Sequence, residues 1–292
     1  MLPSSIDPPC GMLYVVATPI GNLDDISARA IKILGEVDLI AAEDTRVSRI
    51  LLERYGIKTP MLSYHKFNER KRGDFIISKM QEGGKVALIS DAGAPCISDP
   101  GHLLVSQAHM NGITVSSVCG PSSVTAALSI SGFDASRFTF VGFLPKGGEG
   151  KRVLTELIGC GGTHVFFESP KRIKKTLTAI MEISNEVGIC LCNDLTKKFE
   201  KVYHGKITDV LDEVMENEHA EKGEYTCVMN SVPLEEFDSE DISIEAQIVD
   251  IMVKKNLSLQ EAAGELKTQN KKLRKKQIYN AMLTLRSILQ PE

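Results

Sequence analysis

No apolar run in the 292 residues approaches the roughly 18 that a membrane span requires. Residues 1–11 also lack the basic start and long apolar stretch of a signal peptide. Both absences predict a chain that stays in the cytoplasm and crosses no membrane. Cysteine is sparse, scattered and odd in number (10, 96, 119, 160, 190, 192 and 227), and Cys190-Leu191-Cys192 is too tight for ordinary metal-ligand spacing. These residues read as reduced thiols, mostly in the core. The six histidines form no HExxH and cluster with no cysteine, so no structural metal site is expected. GxGxxG and the P-loop are missing too: Gly21 stands alone, and no Gly-Lys-Ser/Thr occurs. A bound nucleotide would therefore not be gripped by its phosphates in either familiar way.

What is present is an ordinary globular composition. With 42% hydrophobic and 25% charged residues the chain can bury a substantial core, and its length suggests about two domains. A formal net charge of −4 does not suggest nucleic-acid binding, which needs concentrated lysine and arginine. That average hides a polarity. Between positions 251 and 290 nine basic residues (254, 255, 267, 271, 272, 274, 275, 276, 286) face only Glu261 and Glu265.

Residues 13–143 alternate short β-branched runs with longer helical patterns, the signature of a parallel sheet with crossover helices. The predicted strands are 13–17, 38–42, 86–89, 114–118 and 138–141. Between the first two, Ile26, Ala30, Ile31 and Leu34 recur at helical spacing behind the start signal Asp24-Asp25, and Gly35 stops the run. Residues 144–150 are polar and breaker-rich and read as a linker. A second α/β region follows, with strands at 163–168 and 187–192, a helix from Lys171, and two further strands at 200–207 and 224–231 in a mixed sheet. Beyond Pro233 strand character is lost, and a basic helical appendage is expected, with a helix-turn-helix variant among the forms it could take. The fold class is thus α/β, organised as 12–143, 144–233 and 234–292.

Each strand of the first region ends in small or polar residues, and ligands of open parallel sheets bind beyond the carboxyl ends of strands. The turns are Thr18-Pro19-Ile20-Gly21-Asn22, Glu43-Asp44-Thr45-Arg46, Ser90-Asp91-Ala92-Gly93-Ala94-Pro95 and Cys119-Gly120-Pro121-Ser122-Ser123. Any one of them could be a plain tight turn. Four on one sheet edge point to a site. Together they offer the Asp91 carboxylate, the hydroxyls of Thr18, Ser90, Ser122 and Ser123, and close backbone approach at Gly93 and Gly120. That set suits an amino-acid headgroup, a ribose and an adenine edge.

The strings Ala-Thr-Pro-Ile-Gly-Asn-Leu (17–23), Ala-Glu-Asp-Thr-Arg (42–46), Ser-Tyr-His-Lys-Phe-Asn-Glu (63–69), Ser-Asp-Ala-Gly-Ala-Pro-Cys-Ile-Ser-Asp-Pro-Gly (90–101) and Gly-Phe-Leu-Pro (142–145) resemble the ribosomal RNA small-subunit methyltransferase I family, within the tetrapyrrole (class III) methylases. The resemblance covers nearly the whole chain in the right order. It implies two α/β domains of tetrapyrrole-methylase type with an interdomain cleft, plus the small C-terminal helical domain. It also implies transfer of a methyl group from S-adenosyl-L-methionine to a cytidine 2'-oxygen in 16S ribosomal RNA, in the decoding region of the small ribosomal subunit, by a homodimer. Cofactor contacts are implied at Ile20, Asp91, Gly93, Ala94, Ile97, Ser122 and Ser123 in the first domain and at Phe167, Tyr225 and Thr226 in the second. The family's usual residues are replaced at Ala94, Cys119, Lys171, Asn193 and Asp194; at Ala94 this removes a hydroxyl from the cofactor loop.

Such a transfer must align the hydroxyl oxygen, the methyl and the sulfur, and a proton must leave as the bond forms. Candidate proton acceptors are Glu43, Asp44, His65, Glu69 and Glu168. For RNA, the 63–70 segment combines rings and cations as a stacked base and a nearby phosphate would need, giving Tyr64, Lys66, Asn68 and Arg70 as candidates. Arg46, Lys171, Arg172 and Lys197 could bring charge to the cleft, and Lys271, Lys272, Arg274 and Lys275 form the basic tail. Two other functions fit the same scaffold: methylation of a small tetrapyrrole, which the tail and the 64–70 loop disfavour, and an inactive RNA-binding or ribosome-assembly factor.

Overall fold

The computed structural model describes residues 11–233, 243–270 and 273–289. They fall into two compact units, one ending at Val232 and the other beginning at Pro233. The first unit opens with a run of strands and crossover helices: β1 (Met12–Val16), α1 (Ala28–Glu36), β2 (Leu39–Ala42), α2 (Thr45–Arg54), β3 (Met61–Ser63), α3 (Glu69–Gln81), β4 (Lys85–Ile89), α4 (His102–Met110) and β5 (Thr114–Val118). The sheet order is β3-β2-β4-β1-β5, and every pairing is parallel.

Strand β4 shows why both faces of this sheet are covered. Val86 and Leu88 enter the core that α3 and α4 close with Ile76, Met80 and Leu104. Ala87 and Ile89 point the other way, to Leu34 of α1 and Leu51 of α2. Side chains alternate along a strand, so a continuous apolar run supplies two cores at once. Ser27 caps α1 by accepting the Ala30 N–H; the expected start signal Asp24-Asp25 instead forms a 3-10 turn three residues earlier. Strand β3 was not foreseen, because three half-buried residues carry no readable alternation.

After β5, α5 (Ser123–Ser131) leads to β6 (Phe138–Phe143), α6 (Gly148–Cys160), β7 (Gly162–Glu168), α7 (Ile173–Ile183), β8 (Gly188–Asn193), β9 (Lys201–Lys206), α8 (Ile207–Glu216) and β10 (Tyr225–Ser231). This sheet runs β6-β7-β10-β8-β9. Only β6 and β7 are parallel; the other pairs are antiparallel, giving a mixed sheet. The segment 138–141, expected in the first sheet, therefore lies in the second, which begins ahead of the 143/144 division. Its β-rich composition suited either sheet, and only the pairing with β7 decides.

One face of the second sheet is filled from α6, α7 and α8 by Ile158, Leu177, Ile180, Val210 and Val214. The opposite face receives α5, whose Val124, Ala127 and Leu128 pack on Val165, Cys190, Cys192 and Val228. Helix α5 follows directly from the first sheet yet buries its apolar side on the second, which fastens the two halves together.

The second unit consists of α9 (Ile244–Lys255), α10 (Leu259–Gln269) and α11 (Lys275–Leu289). Ile248, Ile251, Leu266, Ile278 and Leu285 form its core. A capping box between Ser258 and Glu261 starts α10.

Truncating Leu128 to alanine should open a cavity between α5 and the second sheet. The expected loss is about 2–4 kcal/mol in urea denaturation with an unchanged slope.

Candidate active site

The loops after β1, β2, β4 and β5 open toward the end of β7 and the start of β10, and a cavity of about 420 Å³ lies among them. That is the size of a small-molecule site. Each of the ten positions expected to contact the cofactor (Ile20, Asp91, Gly93, Ala94, Ile97, Ser122, Ser123, Phe167, Tyr225 and Thr226) lies on its lining.

The loops are held by specific bonds. Thr18 and Gly93 exchange backbone hydrogen bonds of 2.9 and 3.0 Å, and the Thr18 hydroxyl donates to the Ser90 carbonyl at 3.0 Å. Gly93 has φ +75, and an added Cβ would sit 3.4 Å from Ile20 Cγ2. On the other side of the site, a Cβ on Gly21 would lie 2.7 Å from the Leu195 carbonyl oxygen. The Asn22 N–H donates to Thr196 Oγ1 at 3.0 Å. Helix α5 begins at the cavity, and its N-cap Ser122 makes no side-chain capping bond, which leaves its hydroxyl available.

The walls mix apolar faces with five carboxylates: Glu43, Asp91, Asp99, Glu168 and Glu224. No lysine, arginine or histidine is among the lining residues. Two of the five are neutralised from behind. Glu168 is buried, 2.6 Å from Arg172 Nη2, and it also accepts from Thr176 Oγ1 at 2.7 Å and the Ser169 N–H at 2.6 Å. Glu224 pairs with Lys197 at 3.0 Å. Glu43, Asp91 and Asp99 have no such partner. Burial pushes the Glu43 carboxyl up, and the Asp91 charge adds to the effect. Asp91 is raised by burial and then by Asp44. Asp99 is raised furthest, to about 6, by burial and then by Glu43.

Of the proton acceptors expected from sequence, only Glu43 and Glu168 reach the cavity lining. Glu168 is committed to its ion pair with Arg172, whose guanidinium also donates to the Leu144 carbonyl at 2.7 Å. Asp44 is the N-cap of α2, and its bonds to Arg46 hold its carboxyl down at about 2. Glu69 is buried at the start of α3 and accepts the Gly101 N–H at 3.0 Å. His65 accepts the Phe67 N–H and sits in the turn after β3. Asp99 was missed, although it lies inside the quoted Ser-Asp-Pro-Gly string.

The RNA candidates divide in the same way. Tyr64 is fully buried in the first core and cannot stack on a base; its N–H follows the sheet register to the Ala42 carbonyl, which turns the ring inward. Asn68 is spent on the loop itself, accepting the His65 N–H at 2.8 Å and donating to the Ser63 carbonyl at 3.1 Å. Phe67, by contrast, is 91% exposed, with Lys66 and Arg70 exposed beside it. Lys171 is exposed, Arg46 pairs with Asp44 at 2.6 Å, and Arg172 and Lys197 are the counterions just described. Lys271 and Lys272 lie outside the described residues; Arg274 and Lys275 stand exposed at the start of α11.

Two α/β halves around an acidic, cation-free cavity at the strand ends define a tetrapyrrole-methylase fold. The pattern described as Tetrapyrrole (Corrin/Porphyrin) Methylases matches residues 12–211. The solved diphthine synthase superposes with a TM-score of 0.61 at 14% identity, covering 76% of this chain and 90% of that one. Ribosomal RNA small subunit methyltransferase I of Thermotoga maritima is 45% identical over 224 residues, 75% of this chain and 98% of that protein. The protein of the same name from Escherichia coli O157:H7 is 37% identical over 262 residues, 89% and 91% of the two chains. The chain belongs to the ribosomal RNA small subunit methyltransferase I family.

Replacing Arg172 with methionine should leave Glu168 buried and unpaired, at a loss of about 3–5 kcal/mol in chemical denaturation. Adding Glu168→Gln should restore much of that stability.

Proposed function

We infer that this chain transfers a methyl group from S-adenosyl-L-methionine to the 2'-hydroxyl of a cytidine ribose in 16S ribosomal RNA. The observation that carries this reading is the cavity wall: three unpaired carboxylates and no cation suit a positively charged small molecule. When bound, the donor supplies a methyl group already activated by its sulfonium charge. Asp91, Glu43 and Asp99 would complement that charge. The start of α5, with free backbone N–H groups and the Ser122 and Ser123 hydroxyls, would hold a carboxylate. Ile20, Ile97, Phe167 and the backbone at Gly93 and Ala94 would enclose the apolar and ring surfaces, with Tyr225 and Thr226 closing the second side.

RNA recognition is supported by two exposed groups of residues. Lys66, Phe67 and Arg70 surround the turn into α3. In the second unit Lys254 pairs with Asp250, and Lys255 with Glu265. Arg274, Lys275 and Lys276 have no ion-pair partner among the described residues, at a helix N-terminus where the backbone dipole disfavours positive charge. A phosphate backbone would relieve that repulsion. The enzyme is read as a cytoplasmic homodimer; no helix among the described residues is long and apolar enough to cross a membrane. Exposed Ile130 on α5 and Phe138 on the edge strand β6 support a second copy as partner.

The direct test is labelled S-adenosylmethionine with unmodified small subunits: label should appear in a ribose 2'-O position, and absence of transfer despite donor binding would sink the reading. Asp91→Ala should weaken donor affinity at least tenfold in calorimetry while the melting temperature holds. Donor affinity should also depend on pH. The three carboxylates are held above their ordinary range, so they complement a cation fully when ionised and lose that ability as pH falls through their raised values, about 6 for Asp99. Affinity at pH 5 should be about tenfold weaker than at pH 8. Changing Arg274, Lys275 and Lys276 to glutamine should weaken RNA binding and flatten its salt dependence by a slope of about 2–3.

A further inference from the structure

Lys66, Arg70, Lys71 and Arg72 are exposed and have no ion-pair partner among the described residues. They crowd the start of α3, where the helix dipole disfavours positive charge. Glu69, at the same start, is turned inward and spent on the Gly101 N–H. Phe67 stands among these cations with its ring in water. Burial would have stabilised it, but the turn prevents that. The Asn68 side chain accepts the His65 N–H and donates to the Ser63 carbonyl. The Phe67 N–H donates to His65 Nδ1 at 3.3 Å, and the Asn68 and Glu69 N–H groups both reach the His65 carbonyl. The His65 ring meets Phe67 edge-on, with 6.0 Å between centroids and 68° between planes. Such a contact occupies at most one face, so a flat aromatic face stays open to a planar partner.

The sheet register sets this ring beside the cavity. Ser63, the last residue of β3, pairs with Ala42, the last of β2, and Ala42 pairs with Ile89, the last of β4. The 64–68 turn and the cavity residues Glu43 and Asp91 therefore leave one sheet edge in adjacent rows. With strands about 4.8 Å apart, the rows of β3 and β4 are separated by about 10 Å. A single strand with splayed-out bases covers that distance in about one or two nucleotides. Arg46, although paired with Asp44, stands exposed on the β2 turn between them. The cavity itself is lined by carboxylates and no cation, so it repels phosphates. A grip on the RNA backbone must come from outside it, and the cations around Phe67 supply one on the same edge.

We propose that Phe67 is a stacking platform for an unpaired base of the RNA, about one or two nucleotides from the ribose held in the cavity, with Lys66 and Arg70 on the adjoining phosphates. Stacking accepts any base, because every base has a flat face. It does not accept a paired one, whose faces are covered by its neighbours in the helix. Phe67 thereby selects RNA that is single-stranded beside its target, and it positions the ribose without touching the reacting atoms.

The proposal rests on the ribose-methylation reading, and the test separates the two. The chain contains no tryptophan, so Phe67→Trp carries a single fluorescent reporter at the platform. Titrating the full-length variant with single-stranded oligocytidylate at low salt should quench its fluorescence saturably, and an oligocytidylate–oligoguanylate duplex of equal length should leave it nearly unchanged. No quenching by the single strand, or equal quenching by the duplex, overturns the platform. In the labelling assay with unmodified small subunits, Phe67→Ala should raise KM at least about fivefold, with kcat within about threefold and the melting temperature unchanged. Phe67→Tyr and Phe67→Trp should recover most of that loss. Phe75→Ala, which removes another exposed ring further along α3, should leave KM as it is. A smaller rise in Phe67→Ala, or an equal rise in Phe75→Ala, overturns the assignment. Wild type that labels no ribose, while oligocytidylate still quenches Phe67→Trp, sinks the substrate reading and supports the platform.

Discussion

Three carboxylates brought together without a cation among them store unfavourable free energy, and most of the first unit serves to hold them there. Desolvation raises all three, and a neighbouring carboxylate adds to each: Asp91 to Glu43, Asp44 to Asp91, and Glu43 to Asp99, so the ionised cavity is less favourable than the same groups spread over a surface would be. Two relieving species are available at the cavity: protons and a positively charged ligand. A sulfonium donor is the one that leaves the carboxylates ionised and able to act. Glu168 and Glu224 mark the contrast. Each has a cation on the side away from the cavity, so the second half contributes acidic groups without adding to the repulsion.

Such an arrangement survives only if its supports cannot relax. The parallel sheet supplies the first support, since its two cores fix β4 from both faces and therefore fix the Ser90–Gly93 turn. The paired Thr18–Gly93 bonds tie the neighbouring turn to it. The halves themselves are joined by α5, which packs on the second sheet, and by the crowded contact of Gly21 with Leu195 and Thr196. Asp194 and Thr196, in that second-half loop, take positive φ. Strain therefore sits on both walls of the cavity, at the segments that face the ligand.

The sequence revealed the strand-end turns because period and punctuation are local properties. The short apolar run of β4 and the polar stop at Ser90 could be read without knowing the partner strands. Sheet membership could not. Phe138–Phe143 has the composition of either sheet, and its place follows only from pairing with β7. The same division separates Asp91 from Asp99. Asp91 sits two residues past the end of β4 and announces itself by position, whereas Asp99 sits ten residues past it, and its place on the cavity wall depends on the fold of a loop whose backbone no propensity describes. Glu168 shows the converse error. A carboxylate at a strand end suits a proton acceptor, but four residues later, at the N-cap of α7, the chain places Arg172 and commits both charges to structure.

The 63–70 loop makes the point most directly, because residue type was right and orientation was not. Tyr64 and Phe67 are both aromatic, and the polar ring of tyrosine would ordinarily be the one left in water. Here the register of β3 turns Tyr64 under the sheet edge, while the Asn68 side chain closes the turn and pushes Phe67 outward. A ring that is 91% exposed gains nothing from the core, and its turn is too tightly bonded to fold it away. Its free face beside Lys66 and Arg70 therefore has the composition of a stacking platform for an unpaired base, built on the same sheet edge that carries Glu43 and Asp91.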